Sequence, residues 1–373
     1  MDLLNYKEDK RVVLTLDAGG TNFVFSAIQG YREIVNSVTL PSYGYDLKLC
    51  LATIIKGFRE IKSQLSVKPV AISFAFPGEA HYPEGIIGDL LNLPAFRGGV
   101  ALGPMLENEF EIPVFINNDG DLFTFGEAIN GLLPAINAQL EKAGSLKRYN
   151  NLLGITLGTG FGGGLAINNT MFLGDNSAGM EIWSLRNKKY PDTFVEESAS
   201  ITAIKRVYQL KTKIKAETDL EPKDIYEIAC GNKHGDKQAA IDSFNELGEI
   251  VGDTLANAIG LIDGLVVIGG GITGAHRFFL PKIVEEMNSK LKSIEGKEFS
   301  RLEVKVFNLE QDQSLNVFLK GQIKEITVPG TNRKISYDPL KRIGVGISRL
   351  GTNEAVFTGA YAFALKSFDK QSM

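Results

Sequence analysis

The chain has 373 residues, which is enough for about two domains, and its hydrophobic content of 44% is ordinary for a globular protein. A net charge of −4 with scattered Lys and Arg argues against a nucleic-acid partner. The N-terminal sequence lacks the pattern of a signal peptide, and glycines interrupt the longest uncharged stretch, so no membrane span is predicted. Two distant cysteines, Cys50 and Cys230, predict no disulfide framework and favour the reducing cytoplasm.

The first half of the chain alternates strand-like and helical patterns. Its predicted elements are, in chain order, strands at 12–17, 22–28 and near 33–39, a helix at 46–65, and strands at 70–76 and 114–117. The last strand runs into Asn118 and Asp119, where a helix is predicted to begin.

The second half repeats this scheme. Its predicted elements are a hairpin at 152–167, helices at 195–210 and about 237–260, a strand at 264–271, a helix at 278–292, a strand at 303–308 and a closing helix at 353–368. The stretch 309–348 departs from the pattern and predicts an inserted β-hairpin, 322–328 and 333–338, around a Pro-Gly-Thr-Asn turn. The alternation indicates two α/β halves of similar build.

A glycine-rich turn between two apolar strands occurs once in each half. The first lies in LDAGGTN (16–22) and the second in LGTGFGGG (157–164). Such turns expose consecutive backbone N–H groups, and no Cβ blocks the approach of a ligand. Asp17 beside the first turn would repel a phosphate unless Mg²⁺ lies between them. The pair therefore predicts a site that holds the phosphates of a nucleotide.

At this point the residues resemble the ROK family (repressor, open reading frame, kinase) of sugar kinases. The two glycine-rich turns carry part of the resemblance. The other segments that carry it are FAFPGEA (74–80), LLNLPAF (90–96), INNDGDLFTFGEA (116–128), SAGMEI (177–182) and VIGGGIT (267–273). Their order and spacing fit the family over most of the chain.

The resemblance implies an α/β fold of two ribonuclease-H-like domains around a central cleft, as in hexokinase and actin. We expect a small domain at 1–122 plus the closing segment 353–373, and a large domain at 123–352 with the hairpin insertion near 309–348. The implied function is ATP-dependent phosphorylation of a hexose or hexose derivative at a primary hydroxyl, with Mg²⁺. The family commonly forms dimers, so a homodimer is expected.

The resemblance also implies roles in phosphoryl transfer. Asp119 is the expected general base, and the alternative role as N-cap of the following helix is compatible with it. Asp17 is expected to hold Mg²⁺ through water. The expected phosphate ligands are Gly19, Gly20, Thr21 and Asn22 in one half and Gly158, Thr159 and Gly160 in the other, while Gly269, Gly270 and Gly271 lie on the adenosine side.

Sugar contacts are expected from planar polar side chains, which can each make two hydrogen bonds to neighbouring hydroxyls. The implied ligands are Asn118, Glu181 and Glu196, with Glu197 as the competitor if the register shifts by one. Gly78 and Asn92 are expected to line the sugar side, although Gly78 could equally serve an ordinary Pro-Gly turn.

The chain departs from the family pattern after Glu181. Where the family has Glu-Ile-Gly-His, this chain has Glu-Ile-Trp-Ser, so Ser184 stands in the place of the sugar-contacting His. The cysteines of the family's zinc motif are also missing, since no Cys or His occurs between Ser184 and Glu196. We therefore expect no zinc site.

Two other functional classes are alternatives to a sugar kinase. A sugar-responsive repressor would need a helix-turn-helix region before the first phosphate turn, and Asp17 leaves no room for one in this sequence. A non-catalytic sugar- or nucleotide-binding relative with a regulatory role would be expected to lack Asp119 or the turn glycines, and both are present. The sequence itself does not identify the sugar.

Overall fold

The computed structural model describes residues 6–76, 78, 80–88, 93–212 and 220–371. The chain divides into two compact units. The first comprises Met1–Gly131, Gly164–Met180 and Leu350–Met373, and the second comprises Leu132–Gly163 and Glu181–Arg349. The domain boundary expected at residue 122 falls inside a helix, Asp119–Asn130, which belongs wholly to the first unit.

The described residues form nineteen strands. These are β1 (Val13–Ala18), β2 (Asn22–Gln29), β3 (Arg32–Glu33), β4 (Val38–Pro41), β5 (Ala71–Ala75), β6 (Ala80–His81), β7 (Ile86–Ile87), β8 (Val100–Ala101), β9 (Val114–Asn117), β10 (Asn151–Leu157), β11 (Phe161–Ile167), β12 (Thr170–Met171), β13 (Leu265–Gly269), β14 (Lys290–Lys292), β15 (Glu298–Ser300), β16 (Lys305–Asn308), β17 (Lys324–Thr327), β18 (Lys334–Tyr337) and β19 (Arg342–Ile347).

Ten α-helices lie in the same described part of the chain. These are α1 (Leu47–Gln64), α2 (Leu102–Phe110), α3 (Asp119–Asn130), α4 (Leu132–Lys142), α5 (Ile201–Thr212), α6 (Pro222–Cys230), α7 (Lys237–Ile262), α8 (His276–Met287), α9 (Asp312–Lys320) and α10 (Thr352–Gln371).

The first unit is built on a mixed sheet with the strand order β3-β2-β1-β5-β9. The hairpin β1–β2 is antiparallel, whereas β5 and β9 run parallel to β1. An antiparallel hairpin followed by parallel strands with helical crossovers is the ribonuclease-H-like arrangement that the family resemblance implies. Asp17, Ala75 and Asn117 align across β1, β5 and β9, so the ends of these strands lie at one edge.

One face of this sheet packs on α1 through a cluster of aromatic rings. The ring of Phe58 lies 5.2 Å from that of Phe25 and 5.9 Å from that of Phe74. A Cβ on Gly57 would fall 2.3 Å from the Phe25 ring, so the close approach of helix and sheet requires glycine there. Asp46 caps α1 by accepting a hydrogen bond from the backbone N–H of Leu49.

The helices α3 and α10 cross within the first unit at small residues. A Cβ on Gly126 would lie 2.0 Å from the carbonyl oxygen of Ala355, and one on Gly359 would lie 2.0 Å from that of Leu122. The small residues on the facing sides of α3 and α10 therefore allow the two helices to pack closely. Asn353 lies inside the first turn of α10 rather than at its N-cap, because the helix already begins at Thr352.

The second sheet, whose strands β10, β13, β19 and β16 lie in the second unit, repeats the architecture with the strand order β12-β11-β10-β13-β19-β16. Here β13, β19 and β16 extend β10 as a parallel sheet, in which Leu152 aligns with Leu265 and Val266 with Val345. The buried strand β13 carries Leu265–Gly269 with every residue inaccessible to solvent. Each unit thus presents a hairpin turn and a set of parallel strand ends, which are the positions of the two predicted phosphate turns.

Several sequence predictions of local structure were wrong. The helix expected at 278–292 ends at Met287, and residues 290–292 begin the hairpin β14–β15. The helix expected at 195–210 is a 3₁₀ turn, Val195–Ser198, followed by α5. The insertion near 309–348 contains α9 and β19 as well as the predicted hairpin, which is observed as β17 and β18.

Candidate active site

In the first unit, Ser42, which follows β4, holds the turn between β1 and β2. The backbone N–H of Ser42 donates to the carbonyl of Thr21 at 2.9 Å, and the Ser42 hydroxyl donates to the carbonyl of Gly20 at 2.6 Å. A Cβ on Gly19 would lie 2.8 Å from the carbonyl oxygen of Asn22, whereas one on Gly20 would meet nothing within 4 Å. Gly19 is thus required by the tight turn, and the space above Gly20 can accept a ligand.

Asn118 and Asp119 connect β9 to α3 at the same edge of the sheet. The Asn118 Oδ1 atom accepts a hydrogen bond from the Gly120 N–H at 2.7 Å, so Asn118 is the N-cap of α3. The Asp119 Oδ1 atom accepts from the same N–H at 2.9 Å. The alternative of Asp119 as N-cap is therefore wrong, since Asp119 is the first residue of the helix.

Both carboxyls at this edge have raised pKa values. Desolvation raises the pKa of Asp17, and the nearby negative charge of Asp119 raises it further. Desolvation also raises the pKa of Asp119 and outweighs the opposing hydrogen bond from Gly120. The Asp119 side chain remains accessible to solvent, although the surrounding protein excludes much of its water.

The residues of this edge fit a magnesium–phosphate group. Two carboxylates close enough to repel each other supply the hard oxygen ligands that Mg²⁺ prefers. The empty space above Gly20 leaves room for a phosphate against the backbone. Asp17, Gly19, Gly20, Thr21, Asn22, Asn118 and Asp119 all lie in the first unit.

In the second unit, the turn between β10 and β11 carries Gly158, Thr159 and Gly160. The Gly158 N–H donates to the Gly160 carbonyl at 3.0 Å, and the Gly158 carbonyl accepts from the Ile201 N–H at 2.9 Å. A Cβ on Gly158 would meet nothing within 4 Å. This turn therefore offers the same kind of open backbone as the turn in the first unit.

Glu196 contacts this second turn directly. Its Oε2 atom accepts a hydrogen bond from the Phe161 N–H at 2.7 Å and would lie 2.9 Å from a Cβ on Gly160. Glu197, the alternative if the register shifted by one, instead pairs with Arg206 at 3.3 Å. The structure thus brings Glu196, predicted as a sugar ligand, to the phosphate turn.

Glu181 and Ser184 lie on a short 3₁₀ turn of the second unit, Ile182–Ser184. The Ser184 hydroxyl donates to the Glu181 main-chain carbonyl at 2.8 Å, and the Trp183 indole N–H donates to the Glu181 carboxylate. Sequence reasoning named Glu181 and Ser184 but missed Trp183. The signal available was that the chain's single Trp directly follows Glu181-Ile182.

Gly269, Gly270 and Gly271 end β13 in the second unit. Gly270 has a φ of +93°, and a Cβ there would lie 2.1 Å from the carbonyl oxygen of Leu157, so this position requires glycine. A Cβ on Gly271 would meet nothing within 4 Å. The loop then turns into α8 through hydrogen bonds from the Thr273 N–H and hydroxyl to the Gly270 carbonyl. Gly270 is therefore required by packing against Leu157, whereas Gly271 leaves open space beside the backbone.

Gly78 and Asn92 are the two remaining residues predicted to line the sugar side, and the structure describes only Gly78. Gly78 is exposed, and a Cβ there would lie 2.4 Å from the Tyr82 hydroxyl, which itself donates to the Phe76 carbonyl at 3.1 Å. Asn92 lies outside the described residues.

Hydrogen bonds of the Asn187 side chain hold the segment 184–198 together. Among the residues that the structure describes, no group of three or more His, Cys, Asp or Glu side chains could hold a metal ion. Instead, the buried Asn187 side chain donates to the Ser198 hydroxyl at 2.8 Å and accepts from the Lys189 N–H at 3.0 Å. This asparagine organises the loop that carries the Cys and His ligands in the family pattern.

The sequence model of the ROK family matches residues 13–316. The chain belongs to the ROK family. A crystal structure of a glucokinase from Parabacteroides distasonis is 54% identical, with a TM-score of 0.90, over 97% of this chain and 99% of that chain. At this coverage the similarity extends over both units.

More distant relatives of this ROK-family chain differ in their named substrates. A glucokinase from Halalkalibacterium halodurans is 26% identical over 74% of this chain and 84% of its own length. An N-acetyl-D-glucosamine kinase from Vibrio atlanticus is 29% identical over 46% of this chain and 51% of its own length. In the described part of the chain, no helix is both long and apolar enough to span a membrane.

Proposed function

We propose that the chain transfers the γ-phosphoryl group of ATP to a primary hydroxyl of a hexose or hexose derivative, with Asp119 as the general base. The observation that carries this proposal is the Asp119 carboxylate itself. It is accessible at the end of β9, its pKa is raised, and Asp17 beside the first phosphate turn lies close enough to repel it.

The enzyme class rests on the family and on the named activities of its relatives. The protein is a sugar kinase: it belongs to the ROK family, and the relative that matches 97% of the chain at 54% identity is a glucokinase. The finer assignment of the substrate is a proposal, because the relatives include both glucose and N-acetyl-D-glucosamine kinases.

In the proposed reaction, Asp119 accepts the proton of the attacking sugar hydroxyl. As the new O–P bond forms, the bond between the γ-phosphorus and the bridging oxygen breaks and ADP leaves. Asp119 Oδ1 is held by the Gly120 N–H, so the carboxylate is fixed and the other oxygen takes the proton. A raised pKa makes this carboxylate a stronger base than an ordinary aspartate. In a loose transition state its main contribution is to orient the hydroxyl.

The remaining residues bind and neutralise the substrates. Mg²⁺, when bound, would neutralise charge on the phosphates, and Asp17 is the residue proposed to hold it through water. The turn of Gly19–Asn22 and the turn of Gly158–Gly160 are proposed to cradle phosphate, with Gly269–Gly271 on the adenosine side. Asn118, Glu181 and Glu196 are proposed to bind sugar hydroxyls.

We further propose that the enzyme is a cytoplasmic homodimer without zinc. The two free thiols support the location. The replacement of the family His by Ser184 supports the absence of zinc.

The test is an ADP-release assay over a panel of hexoses, N-acetylhexosamines and fructose, with ATP and Mg²⁺. We expect saturable turnover with glucose or with N-acetylglucosamine, and a requirement for Mg²⁺. ADP release that no sugar in the panel stimulates would contradict the proposal.

A further inference from the structure

The segment that follows Glu181 folds back on itself in a short antiparallel arrangement. The Val195 N–H donates to the Leu185 carbonyl at 2.8 Å, and Arg186 forms a β-bridge with Phe194. This pairing places the 3₁₀ turn Ile182–Ser184 against the 3₁₀ turn Val195–Ser198. Glu181 precedes the first turn, and Glu196 lies in the second. Two carboxylates separated by fourteen residues of sequence are thus on adjoining turns.

Trp183 lies on the first of these turns and is incompletely covered. Its ring is 38% exposed, and the Phe194 ring, 40% exposed, meets it edge to face with a centroid distance of 5.7 Å. Its indole N–H donates to the Glu181 carboxylate. An exposed pair of aromatic rings beside a carboxylate combines an apolar surface with directed hydrogen-bond acceptors.

This combination matches the chemistry of a pyranose. A pyranose ring presents C–H groups on its faces and hydroxyls around its rim, so it needs an apolar wall and planar polar groups at the edge. Ser184 cannot supply the polar contact in the same way, because its hydroxyl is already turned to the Glu181 carbonyl. The ring N–H closest to Glu181 in this chain is that of Trp183, where the family pattern has glycine.

We propose that Trp183 is a sugar-positioning residue that contributes to substrate specificity. Its N–H fixes the orientation of the Glu181 carboxylate toward the sugar hydroxyls, and its ring packs against a C–H face of the pyranose. The inference rests on the proposed function, since it requires that Glu181 binds the sugar.

The chain offers a direct probe of this contact, because Trp183 is its single tryptophan. Glucose and N-acetylglucosamine are titrated into the wild-type enzyme without nucleotide, and calorimetry establishes saturation independently of fluorescence. We expect saturable quenching or a spectral shift of tryptophan emission, together with reduced quenching by acrylamide, at the same half-saturating concentration as in calorimetry. If a sugar binds in calorimetry but tryptophan emission and acrylamide quenching do not change, the inference about Trp183 is wrong. The proposed kinase function is not affected by that result.

Kinetics of Trp183→Phe separate positioning from packing. This variant keeps an aromatic ring but loses the N–H that orients Glu181, so KM for the sugar should rise about tenfold while KM for ATP and kcat change by less than twofold. Tyr190→Phe, an exposed aromatic of the same loop, is the matched control and should leave all three constants unchanged.

Circular dichroism and thermal melting show whether the variants fold. An unchanged sugar KM in a folded Trp183→Phe, or an equal rise in Tyr190→Phe, would overturn the positioning function. If no sugar binds the wild-type enzyme in calorimetry, the proposed function fails, and this inference fails with it.

Discussion

Asp119, the proposed general base, lies in an environment that disfavours its charged form. Its folded-state pKa is raised, so the folded protein holds the carboxyl proton more tightly than the unfolded chain does. For an acid with this sign of shift, stability declines as pH rises from the unfolded pKa through the folded one. Above the unfolded pKa, and therefore at neutral pH, this carboxyl lowers the stability of the folded protein.

Asp119→Asn should abolish most activity while it stabilises the fold. We expect kcat to fall about 10²- to 10⁴-fold, because the general base is lost, and Tm without Mg²⁺ at pH 7 to rise. Below the unfolded pKa the difference in Tm should vanish. Asp175→Asn, at an exposed position, is the control and should leave both quantities unchanged. Near wild-type kcat in Asp119→Asn would show that another residue is the base.

The places of the proposed site residues at strand ends could be predicted from sequence, because these residues lie in contiguous motifs. Asp17 with its glycines, and Asn118 with Asp119, are adjacent in the chain and fall at strand ends that periodicity identifies. Trp183 was not predicted, since its relation to Glu181 and Phe194 depends on a turn and a bridge that leave no periodic signal.

At the scale of elements, the 3₁₀ turn Val195–Ser198 links the loop after Glu181 to the second phosphate turn. The Glu196 carboxylate, half-buried, accepts from the Phe161 N–H at the point where phosphate is proposed to bind. A negative charge there opposes an anionic ligand. Without sugar, Glu196 should therefore weaken nucleotide binding.

Glu196→Gln should tighten nucleotide binding in the absence of sugar. The amide oxygen can still accept from Phe161, but the charge is gone. We expect the Kd of AMP-PNP with Mg²⁺ to fall about two- to fivefold, which corresponds to a partly exposed charge interaction of roughly 0.5–1 kcal/mol. Calorimetry measures it, and Glu197→Gln, which faces Arg206, is the control. An equal effect in both variants would mean that proximity to the turn is irrelevant.

The junction between α9, the inserted hairpin and β19 depends on a buried ion pair. The inaccessible Arg342 side chain binds Asp338 at 2.5 Å, the Phe318 carbonyl at 2.6 Å and the Ser145 hydroxyl at 3.2 Å. Burial alone would raise the pKa of Asp338, but hydrogen bonds from Arg342 and from two backbone N–H groups hold it below its usual value. This contribution to stability is lost as pH falls through the folded pKa.

Asp338→Asn should destabilise the second unit strongly. Removing one partner leaves a buried guanidinium uncompensated, which costs about 3–5 kcal/mol in the free energy of unfolding, measured by urea denaturation. The matched control is Glu325→Gln, whose partner Lys334 lies 3.6 Å away on the exposed hairpin and whose loss should cost less than about 1 kcal/mol. If both variants lower the free energy of unfolding equally, burial of the Arg342–Asp338 pair does not increase its contribution to stability.

The elements that sequence reasoning missed are those whose ends are set by distant contacts. The Asn288 side chain ends α8 by donating to the carbonyls of Val284 and Val306 and by accepting from the Val306 N–H. Val306 lies eighteen residues further along, so the apolar period alone extended the predicted helix to 292. For the stretch 309–348 the sequence predicts only the hairpin, so α9 is not among the predicted elements.

For the whole molecule, the hairpin β17–β18 leaves an apolar face that its own chain does not bury. Every residue of its two strands is exposed, and the directly paired Ile326 and Ile335 are 44% and 38% exposed. A two-stranded hairpin is marginally stable in water. The small size of the apolar face favours packing of the hairpin on its own domain, but that arrangement would bury these residues and is not observed.

The last prediction is that a second copy of the chain covers this face in the proposed homodimer. Deleting residues 320–340 would also remove Asp338, the carboxylate partner of Arg342, so point variants are cleaner. Ile326→Lys with Ile335→Glu keeps a cross-strand pair but removes the apolar face, and should convert the dimer to a monomer in sedimentation velocity without loss of Tm.

The matched control is Leu291→Lys with Phe299→Glu, an exposed cross-strand pair on the other hairpin, β14–β15. It should remain a dimer. Dissociation of the control alone would place the interface at β14–β15, and unchanged sedimentation of both variants would exclude both hairpins from it. A wild-type protein that sediments as a monomer would show that the homodimer proposal is wrong. Ile326 and Ile335 would then be exposed to solvent in the functional protein.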